Sequence, residues 1–323
     1  MKVRRIQLHK VRVFQDFEVE FVDSLTKKTL SRAVLVGING SGKTTLLEAL
    51  FGSYRVLGRA ETVSLVALSS EGWVEVEFEL TAAEREALST QQERVLLRTT
   101  LAATGAGWAL QPRELVTPLR RACAEGKGLG GVLYFPAVRQ LPPFRLEAIQ
   151  KVEPRLPFAY RYVGSTGVDA LKTYLVYQHY LDLQDLDRTG ERGERFRRIQ
   201  RLFDRLFAGK RVAGVEDMEV IIETSEGEQH GLDDLSSGEK QMLMLVVETL
   251  RYAPKGGLIL VDEPEVSLHP AWQRKLLYTL EQVAPECQII VATHSLEIAQ
   301  SVYPEEVIEL SPLPSLEQEK VAA

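Results

Sequence analysis

Short, mainly apolar runs of four or five residues recur along the chain, and each ends at a glycine, a proline or a polar residue. They lie at residues 33–36, 132–135, 258–261 and 288–292. Continuous apolar runs of this length are typical of strands that are buried on both faces of a parallel sheet. Segments with helical spacing, such as 45–51 and 270–283, separate or follow these runs. The alternation predicts an α/β fold with a parallel or mixed core sheet.

Strict alternation of apolar and polar residues marks a second kind of strand in the first half of the chain. Residues 3–8 and 17–21 alternate as a pair of strands at a sheet edge, and residues 73–80 alternate throughout. Residues 94–101, the glycine-containing segment 104–107 and Trp108 predict a β-hairpin. We therefore expect an antiparallel β arm between about residues 60 and 135.

Helical periodicity dominates after Pro142 and Pro143, with predicted helices at 168–183 and 194–207. The second helix has an apolar face formed by Phe196, Ile199, Leu202, Phe203, Leu206 and Phe207. That face predicts core packing, whereas the arginines opposite form either a solvated surface or a surface that follows a phosphate backbone. Both helices are too short for a long coiled-coil arm.

Composition limits the class of protein. The chain has 323 residues, of which 45% are hydrophobic and 26% are charged, as in a globular protein with a sizeable core. No run approaches the roughly 18 apolar residues of a membrane span, and the N-terminus lacks the apolar region of a signal peptide. We therefore expect a cytoplasmic protein without a membrane segment.

Cysteine usage and net charge exclude further classes. Cys123 and Cys287 are the only cysteines and lie far apart, so neither a disulfide framework nor a thiolate metal site is indicated. The net charge of −6 argues against a general nucleic-acid binder and leaves room for a local basic face.

The run at 33–36 leads directly into a glycine-rich loop that precedes a predicted helix, which is the context of a nucleotide phosphate-binding loop. In such a loop, backbone N–H groups and a helix N-terminus surround phosphate oxygens. We expect Lys43 to reach the β- and γ-phosphates and the Thr44 hydroxyl to bind Mg²⁺. The candidate nucleotide-binding residues are Gly37, Asn39, Gly40, Ser41, Gly42, Lys43, Thr44 and Thr45.

Polar residues also follow the other predicted core strands. Asp262 and Glu263 end the run at 258–261, where one carboxylate can hold Mg²⁺ through water and the next can polarise an attacking water. His294 follows the run at 288–292, so it can contact the γ-phosphate or that water. Arg139 and Gln140 lie just beyond residues 132–135, and either can reach the metal or the γ-phosphate unless it is a solvated loop residue.

A second predicted anion site precedes the helix at 241–252. The segment Leu235-Ser236-Ser237-Gly238-Glu239, which we call the signature segment, places small and polar residues before a helix N-terminus. The Ser236 side chain and the Gly238 N–H are the expected phosphate donors, and an ordinary helix cap is the alternative.

In this order, the phosphate loop, the signature segment, Leu-Ile-Leu-Val-Asp-Glu-Pro and Thr-His-Ser resemble ABC-type ATPases over nearly the whole chain. The opening residues 6–14 and Asp-Glu-Pro-Glu-Val-Ser-Leu-His-Pro resemble most the RecF/SMC/OLD-like group, here without a long coiled coil or a fused nuclease domain. Transporter subunits generally carry Leu-Asp where this chain has Leu268-His269. The resemblance implies a P-loop NTPase fold of ABC-ATPase type, with an antiparallel β arm and a helical lobe.

The family also implies a site and an assembly. ATP and Mg²⁺ would lie in a head-to-tail homodimer, with Ser236 and Gly238 capping in trans the γ-phosphate of the nucleotide on the partner's phosphate loop. Glu263 would act as general base and Asp262 as Mg²⁺ ligand, with Lys43 and His294 completing the catalytic group. Arg12 matches the family's basic residue near the nucleotide, and Gln140 is the candidate for its metal-contacting Q-loop glutamine, with Arg139 as the alternative.

The expected division of the chain follows the same resemblance. Residues 1–140 and 236–311 would form the nucleotide-binding core lobe with the β arm, and residues 141–235 the helical lobe that leads to the signature segment. Residues 312–323 would be a tail.

The group works on DNA, as in repair, or in phage defence, so the first functional hypothesis is an ATPase that controls an effector or grips DNA. Because the chain ends shortly after Leu310, we expect the effector, such as a nuclease, to be a separate polypeptide. The alternatives are the nucleotide-binding subunit of a membrane transporter and an ATP-dependent scaffold with negligible turnover.

Overall fold

The computed structural model describes residues 1–57, 68–101, 108–124, 131–139, 160–162, 169–191, 193–252 and 256–310. The strands in these ranges are β1 Lys2–Val11, β2 Phe14–Glu20, β3 Arg32–Val36, β4 Leu68–Glu79, β5 Arg94–Leu101, β6 Trp108–Gln111, β7 Val132–Phe135, β8 Tyr160–Tyr162, β9 Lys210–Glu216, β10 Glu219–Thr224, β11 Gln229–His230, β12 Leu258–Asp262, β13 Gln288–Thr293 and β14 Val307–Glu309. The α-helices are α1 Lys43–Leu57, α2 Ala82–Ala87, α3 Arg113–Ala124, α4 Asp169–Thr189, α5 Arg195–Leu206, α6 Ser237–Tyr252, α7 Pro270–Val283 and α8 Leu296–Ala299.

A six-stranded sheet in the order β14-β3-β13-β12-β7-β8 forms the centre of the fold, and every pair in it is parallel. Residues of β12 alternate between two hydrophobic cores: Ile259 and Val261 belong to one, and Leu258 and Leu260 to the other. Because both faces of the sheet are covered, its strands need apolar residues at every position. This explains the continuous apolar runs in the sequence.

Each face of the central sheet is covered by different elements. On one side, α1 and the five-stranded antiparallel sheet β2-β1-β4-β5-β6 contribute residues such as Leu46, Ile6 and Val76 to a shared core. On the other side, α4, α5, α6 and α7 pack around residues such as Phe203 and Met242. The helix after the phosphate loop and the helix after the signature segment therefore lie on opposite faces of the sheet.

The predicted antiparallel arm is present. Strand β2 lies at the edge of its sheet and pairs with β1, with Leu8 opposite Phe17. Strands β5 and β6 form the predicted hairpin, whose turn at 104–107 lies outside the described residues.

Helix α5 buries the predicted apolar face, with Phe196, Ile199 and Phe203 almost fully enclosed. On its outer face, Arg197 and Arg201 both pair with Glu194.

Several elements differ from the expectation. The helix predicted at 241–252 begins at Ser237, so the end of the signature segment forms its first turn. The three-residue strands β8 and β14 extend the central sheet on both sides. Residues 141–235, expected as a helical lobe, contain β8 and the antiparallel sheet β11-β10-β9 besides α4 and α5. The lobe boundaries stay predictions, and the predicted tail at 312–323 lies outside the described residues.

Candidate nucleotide-binding and catalytic site

The phosphate loop connects β3 to α1 and depends on glycines for its shape. Gly40 and Gly42 have φ of +80° and +94°, in the left-handed region that favours glycine. A Cβ atom on Gly42 would lie 2.2 Å from Cζ of Phe14, whose ring packs against the loop. The loop therefore has room only for a residue without a side chain at this position, as in glycine-rich loops whose backbone N–H groups bind phosphate.

Polar groups in this loop suit an anion. The Lys43 side chain is 6% exposed, and its Nζ donates hydrogen bonds to the carbonyl oxygens of Gly37, at 2.7 Å, and Ile38, at 3.1 Å. Burial lowers the pKa of Lys43, against the opposing effect of nearby carboxylates. The buried Ser41 hydroxyl has no hydrogen-bonding partner among the described residues. A buried cation held only by carbonyls and an unsatisfied hydroxyl both gain from a phosphate group.

The remaining loop residues differ in exposure. Asn39 is exposed, Thr44 is half-buried and Thr45 is buried. Thr44, in the first turn of α1, interacts with the side chain of Asp262.

Asp262 is the last residue of β12 and has a buried carboxylate. Its side chain is 1% exposed, and neither of its oxygens meets a hydrogen-bond donor at normal distance in the described part of the chain. Burial raises the pKa of Asp262 to about 6, although Thr44 acts in the opposite direction.

A carboxylate in such an environment is satisfied when a divalent cation binds it. Mg²⁺ commonly uses one or two carboxylates together with substrate phosphates, and the position of Asp262 beside Thr44 fits that arrangement. No group of three or more His, Cys, Asp or Glu side chains able to hold a metal occurs in the described ranges. Ligands from a bound phosphate would therefore be needed to complete this site.

Glu263 turns the chain at the end of β12. Its φ is +45°, an uncommon value for a residue with a side chain, and its N–H donates to the Ala292 carbonyl at 2.8 Å. Its side chain is half-buried. The neighbouring strand β13 thus helps to hold the candidate base in a conformation that the residue alone would disfavour.

Glu265 was not identified from the sequence, but it links the ends of β12 and β13. Its carboxylate accepts hydrogen bonds from the Thr293 hydroxyl and the His294 N–H, each at 2.7 Å. His294 itself is exposed. The side chain of Glu265 therefore holds the backbone that carries the candidate γ-phosphate sensor. The feature of the sequence that could have identified Glu265 is its position two residues after the pair Asp262 and Glu263, which ends the predicted strand β12.

The signature segment is organised around the N-terminus of α6. The hydroxyl and N–H of Ser236 donate to Glu239, whose own N–H donates to the Ser236 hydroxyl at 3.3 Å. Burial opposes ionisation of Glu239, but Lys210, paired at 2.8 Å, and Ser236 hold the pKa of Glu239 below its usual value. Ser236 is thus a helix cap in the single chain, and it remains exposed to solvent.

Gly238 is required by close packing. A Cβ atom at this position would lie 2.5 Å from the Ser267 carbonyl oxygen and 3.1 Å from the Trp272 ring. The first turn of α6 therefore rests directly on the backbone that follows the acidic residues of β12.

The family-derived candidates have different outcomes. Arg12 lies in the turn between β1 and β2 and pairs with Glu48 of α1 at 2.5 Å, so it contacts the helix that follows the phosphate loop. Burial raises the pKa of Glu48, and Arg12 opposes that effect. Gln140 lies outside the described residues. Arg139 donates hydrogen bonds to the carbonyl oxygens of Asp262 and Glu263 rather than to their carboxylates.

Solved structures with the same architecture cover almost the whole chain. An Smc head bound to the C-winged helix domain of ScpA aligns over 96% of this chain and 94% of its own, with a TM-score of 0.55 and 14% identity. The chain has the fold of an SMC-type ATPase head. The SMC head domain from Thermotoga maritima aligns over 94% of this chain and 92% of its own, with a TM-score of 0.51 and 15% identity. The predicted α/β P-loop fold and the resemblance to RecF/SMC/OLD-like ABC ATPases are confirmed.

Sequence relatives of this chain include a Septu protein and probable ATPases of retrons. Residues 171–299 match the family model described as "AAA domain, putative AbiEii toxin, Type IV TA system". The Septu protein PtuA of Bacillus thuringiensis is 27% identical over 196 residues, which are 55% of this chain and 49% of that protein. The Retron Vc95 probable ATPase of Vibrio cholerae serotype O1 biovar El Tor is 32% identical over 102 residues, 28% of this chain and 19% of that protein. The matches span about half or less of these relatives.

Among the described helices, none has the length and apolar character that crossing a bilayer requires.

Proposed function

We propose that this chain binds Mg-ATP between two copies arranged head to tail and hydrolyses it. The observation that carries the proposal is the joint presence of a phosphate loop with a buried lysine and a buried, unsatisfied Asp262 beside Thr44. Among the described residues, Lys43 has only neutral carbonyl acceptors and the Asp262 carboxylate has no donor at normal distance, and both are suited to a nucleotide phosphate with its cation.

In this proposal each residue of the site has one role in phosphoryl transfer. Lys43 exchanges its two carbonyl contacts for the β- and γ-phosphates, and Asp262 and Thr44 hold Mg²⁺. The metal ion neutralises charge on the phosphates when it is bound. Glu263 accepts a proton from the attacking water, and His294, held by Glu265, contacts the γ-phosphate.

The position of the signature segment supports the trans arrangement. The signature helix α6 packs on the opposite face of the central sheet from α1. Its N-terminus, with an exposed Ser236, is thus left over after the phosphate loop has bound its own nucleotide. A second copy related by a two-fold axis would place each signature segment over the other's nucleotide.

A complementation experiment tests this arrangement. Ser236→Arg should abolish hydrolysis but spare nucleotide binding, because the bulky cation disrupts only the trans cap. Lys43→Ala should fail to bind ATP. An equimolar mixture should recover turnover, because a mixed dimer contains one intact composite site, formed by the phosphate loop of Ser236→Arg and the signature segment of Lys43→Ala. Turnover by Ser236→Arg alone, or no recovery in the mixture, would contradict the trans scheme.

For the biological role, we propose that the ATP cycle controls a separate effector in phage defence or another DNA-linked process. The Septu and retron relatives support the defence role, and the SMC-head fold supports the ATP-driven dimer. The expected effector is a nuclease or another protein that acts on nucleic acid.

The effector can be sought with a trapped dimer. Tagged Glu263→Gln protein, purified from its native cells with Mg-ATP, should retain a nuclease, another toxic protein or DNA, identified by mass spectrometry or by nucleic-acid analysis. Lys43→Ala serves as the matched control because it should not form the ATP-bound dimer. Recovery of a membrane permease with Glu263→Gln would replace the defence role with a transport role.

A further inference from the structure

We propose that Arg139 is a positioning residue that ties the acidic turn at Asp262 and Glu263 to the signature helix α6, and that it does not contact the γ-phosphate. The inference rests on the proposed ATPase function and deepens it. It assigns Arg139, in the segment that follows β7, to coupling between the two composite sites of the dimer.

Every N–H group of the Arg139 guanidinium has an acceptor in the protein. Nη1 donates to the carbonyl oxygens of Pro136, at 2.5 Å, and Asp262, at 2.6 Å, and Nη2 donates to the Glu263 carbonyl at 2.8 Å. With the Gln241 amide oriented to satisfy its neighbours, its oxygen accepts from Nε and, at 2.9 Å, from Nη2. An arginine has five N–H groups, and all five are accounted for. None is left over for a phosphate oxygen.

Arg139 binds the backbone, not the side chains, of the two acidic residues at the end of β12. Asp262 and Glu263 are held through their backbone carbonyls, which leaves both carboxylates available for Mg²⁺ and for water. Glu263 has the left-handed backbone described above, a conformation that persists only when surrounding contacts impose it. Arg139 supplies such a contact directly at this residue.

The remaining acceptor of Arg139 belongs to the signature helix α6. Gln241 lies on α6, one turn after Gly238, and is 3% exposed. Burial lowers the pKa of Arg139 to about 10, so the side chain remains charged at neutral pH and its hydrogen bonds are charge-assisted. A charged, buried fork that joins two elements is costly to break, because its partners would be left unsatisfied.

A consequence follows for the dimer. The N-terminal part of α6 contacts this region twice: Gln241 reaches the Asp262 and Glu263 carbonyls through Arg139, and Gly238 packs against the Ser267 carbonyl. When the N-terminus of α6 caps a phosphate on the partner, any shift of α6 is passed to Glu263 of its own chain. Arg139 thus links occupancy of one composite site to the geometry of the base in the other.

The kinetic test uses Arg139→Lys, which keeps the charge but loses the fork. We expect kcat to fall about tenfold or more, with KM and the Kd of a fluorescent ATP analogue within about twofold, because misplacing a catalytic group costs turnover rather than binding. An unchanged kcat, or a Kd raised tenfold, would overturn the proposal, the latter in favour of direct phosphate contact.

The coupling test adds Gln241→Leu. If Arg139 acts through Gln241, the double variant should lose no more turnover than Arg139→Lys alone, within about twofold. Multiplicative losses would overturn the link to α6. Arg32→Lys is the matched control, since Arg32 pairs with Glu306 at the start of β3 and lies outside the proposed site.

A readout without turnover separates this inference from the proposed function. In nucleotide-free protein, Arg139→Lys should accelerate amide hydrogen exchange in both 237–246 and 262–268, whereas Arg32→Lys should leave both unchanged. Faster hydrogen exchange in only one of these segments, or in neither, would overturn the proposal that Arg139 joins them. Absence of ATP turnover in the wild type would refute the ATPase proposal, and the exchange result would still decide whether Arg139 joins the two segments.

Discussion

Glu263→Gln should reduce ATP turnover by about 10²- to 10⁴-fold while ATP remains bound, because the amide cannot accept the proton of the attacking water. The substitution keeps the size of the side chain and removes no contact of Arg139, which binds the backbone carbonyl of Glu263. Lys43, Thr44 and Asp262 are unchanged, so nucleotide affinity should be retained.

The same variant should accumulate as an ATP-bound dimer, since the step that would separate the two copies is blocked. Light scattering should show a monomer without nucleotide and a dimer with Mg-ATP, and rapid-quench measurements should show the loss of turnover. Glu18→Gln on the exposed edge strand β2 is the control and should retain wild-type turnover. A Glu263→Gln protein that stays monomeric with Mg-ATP would contradict the dimer scheme, and one with normal turnover would remove Glu263 as the base.

The elements that the sequence predicted correctly are those whose structure leaves a pattern in neighbouring residues. Strands β3, β12 and β13 are buried on both faces, so they leave continuous apolar runs that no exposed element would show. The phosphate loop is recognisable because Gly40 and Gly42 must adopt positive φ beside a lysine at fixed spacing. Their order along the chain was enough to indicate the ABC-type fold.

The parts that were missed depend on partners distant in the sequence. Strands β8 and β14 have three residues each, too few for a periodic signal, and they exist because the edges of the central sheet can pair with them. Strand β9 is stabilised by its antiparallel pairing with β10. The hydrophobic pattern of β9 alone does not specify that pairing. Short edge strands of this kind are decided by tertiary context.

Side-chain roles at the site were predictable only where residue type limits them. The charge of Asp262 limits its proposed ligand to a cation, and the charge of Lys43 limits its proposed ligand to an anion such as phosphate. Whether Arg139 or a neighbour faced the nucleotide could not be decided, because the answer depends on Gln241, about a hundred positions away, and on the backbone of β12. The contact of Glu265 with Thr293 depends in the same way on the adjacency of β12 and β13.

Asp262→Asn should raise the free energy of unfolding of the nucleotide-free protein by about 3 kcal/mol at pH 7 to 8. The pKa of Asp262 is raised from the ordinary 3.8 to about 6 by burial, so folding at neutral pH keeps a charged carboxylate out of water. The wild-type carboxyl is fully protonated in both states well below about pH 4. As pH rises from about 4 to 6, the unfolded chain releases the proton first, and the stability of the wild type falls.

The prediction therefore has a defined pH window. In EDTA, the difference between the two proteins in urea unfolding should be near zero below about pH 4, grow between pH 4 and 6, and level off above pH 6. Asp187→Asn is the control, because Asp187 lies on an exposed part of α4 and should show no such window. A difference that is independent of pH would show that the amide stabilises the fold by another route.

Mg-ATP should remove most of the difference in stability between the two proteins. At a concentration about 100 times its Kd, Mg-ATP should stabilise the wild type by about 2.7 kcal/mol, because the cation satisfies the carboxylate that is costly in its absence. The amide of the Asp262→Asn variant offers no charge to the cation, so the variant should gain far less. An equal gain in both proteins would remove Asp262 from the metal site. A gain confined to the wild type would show that Mg-ATP stabilises the protein through the Asp262 carboxylate.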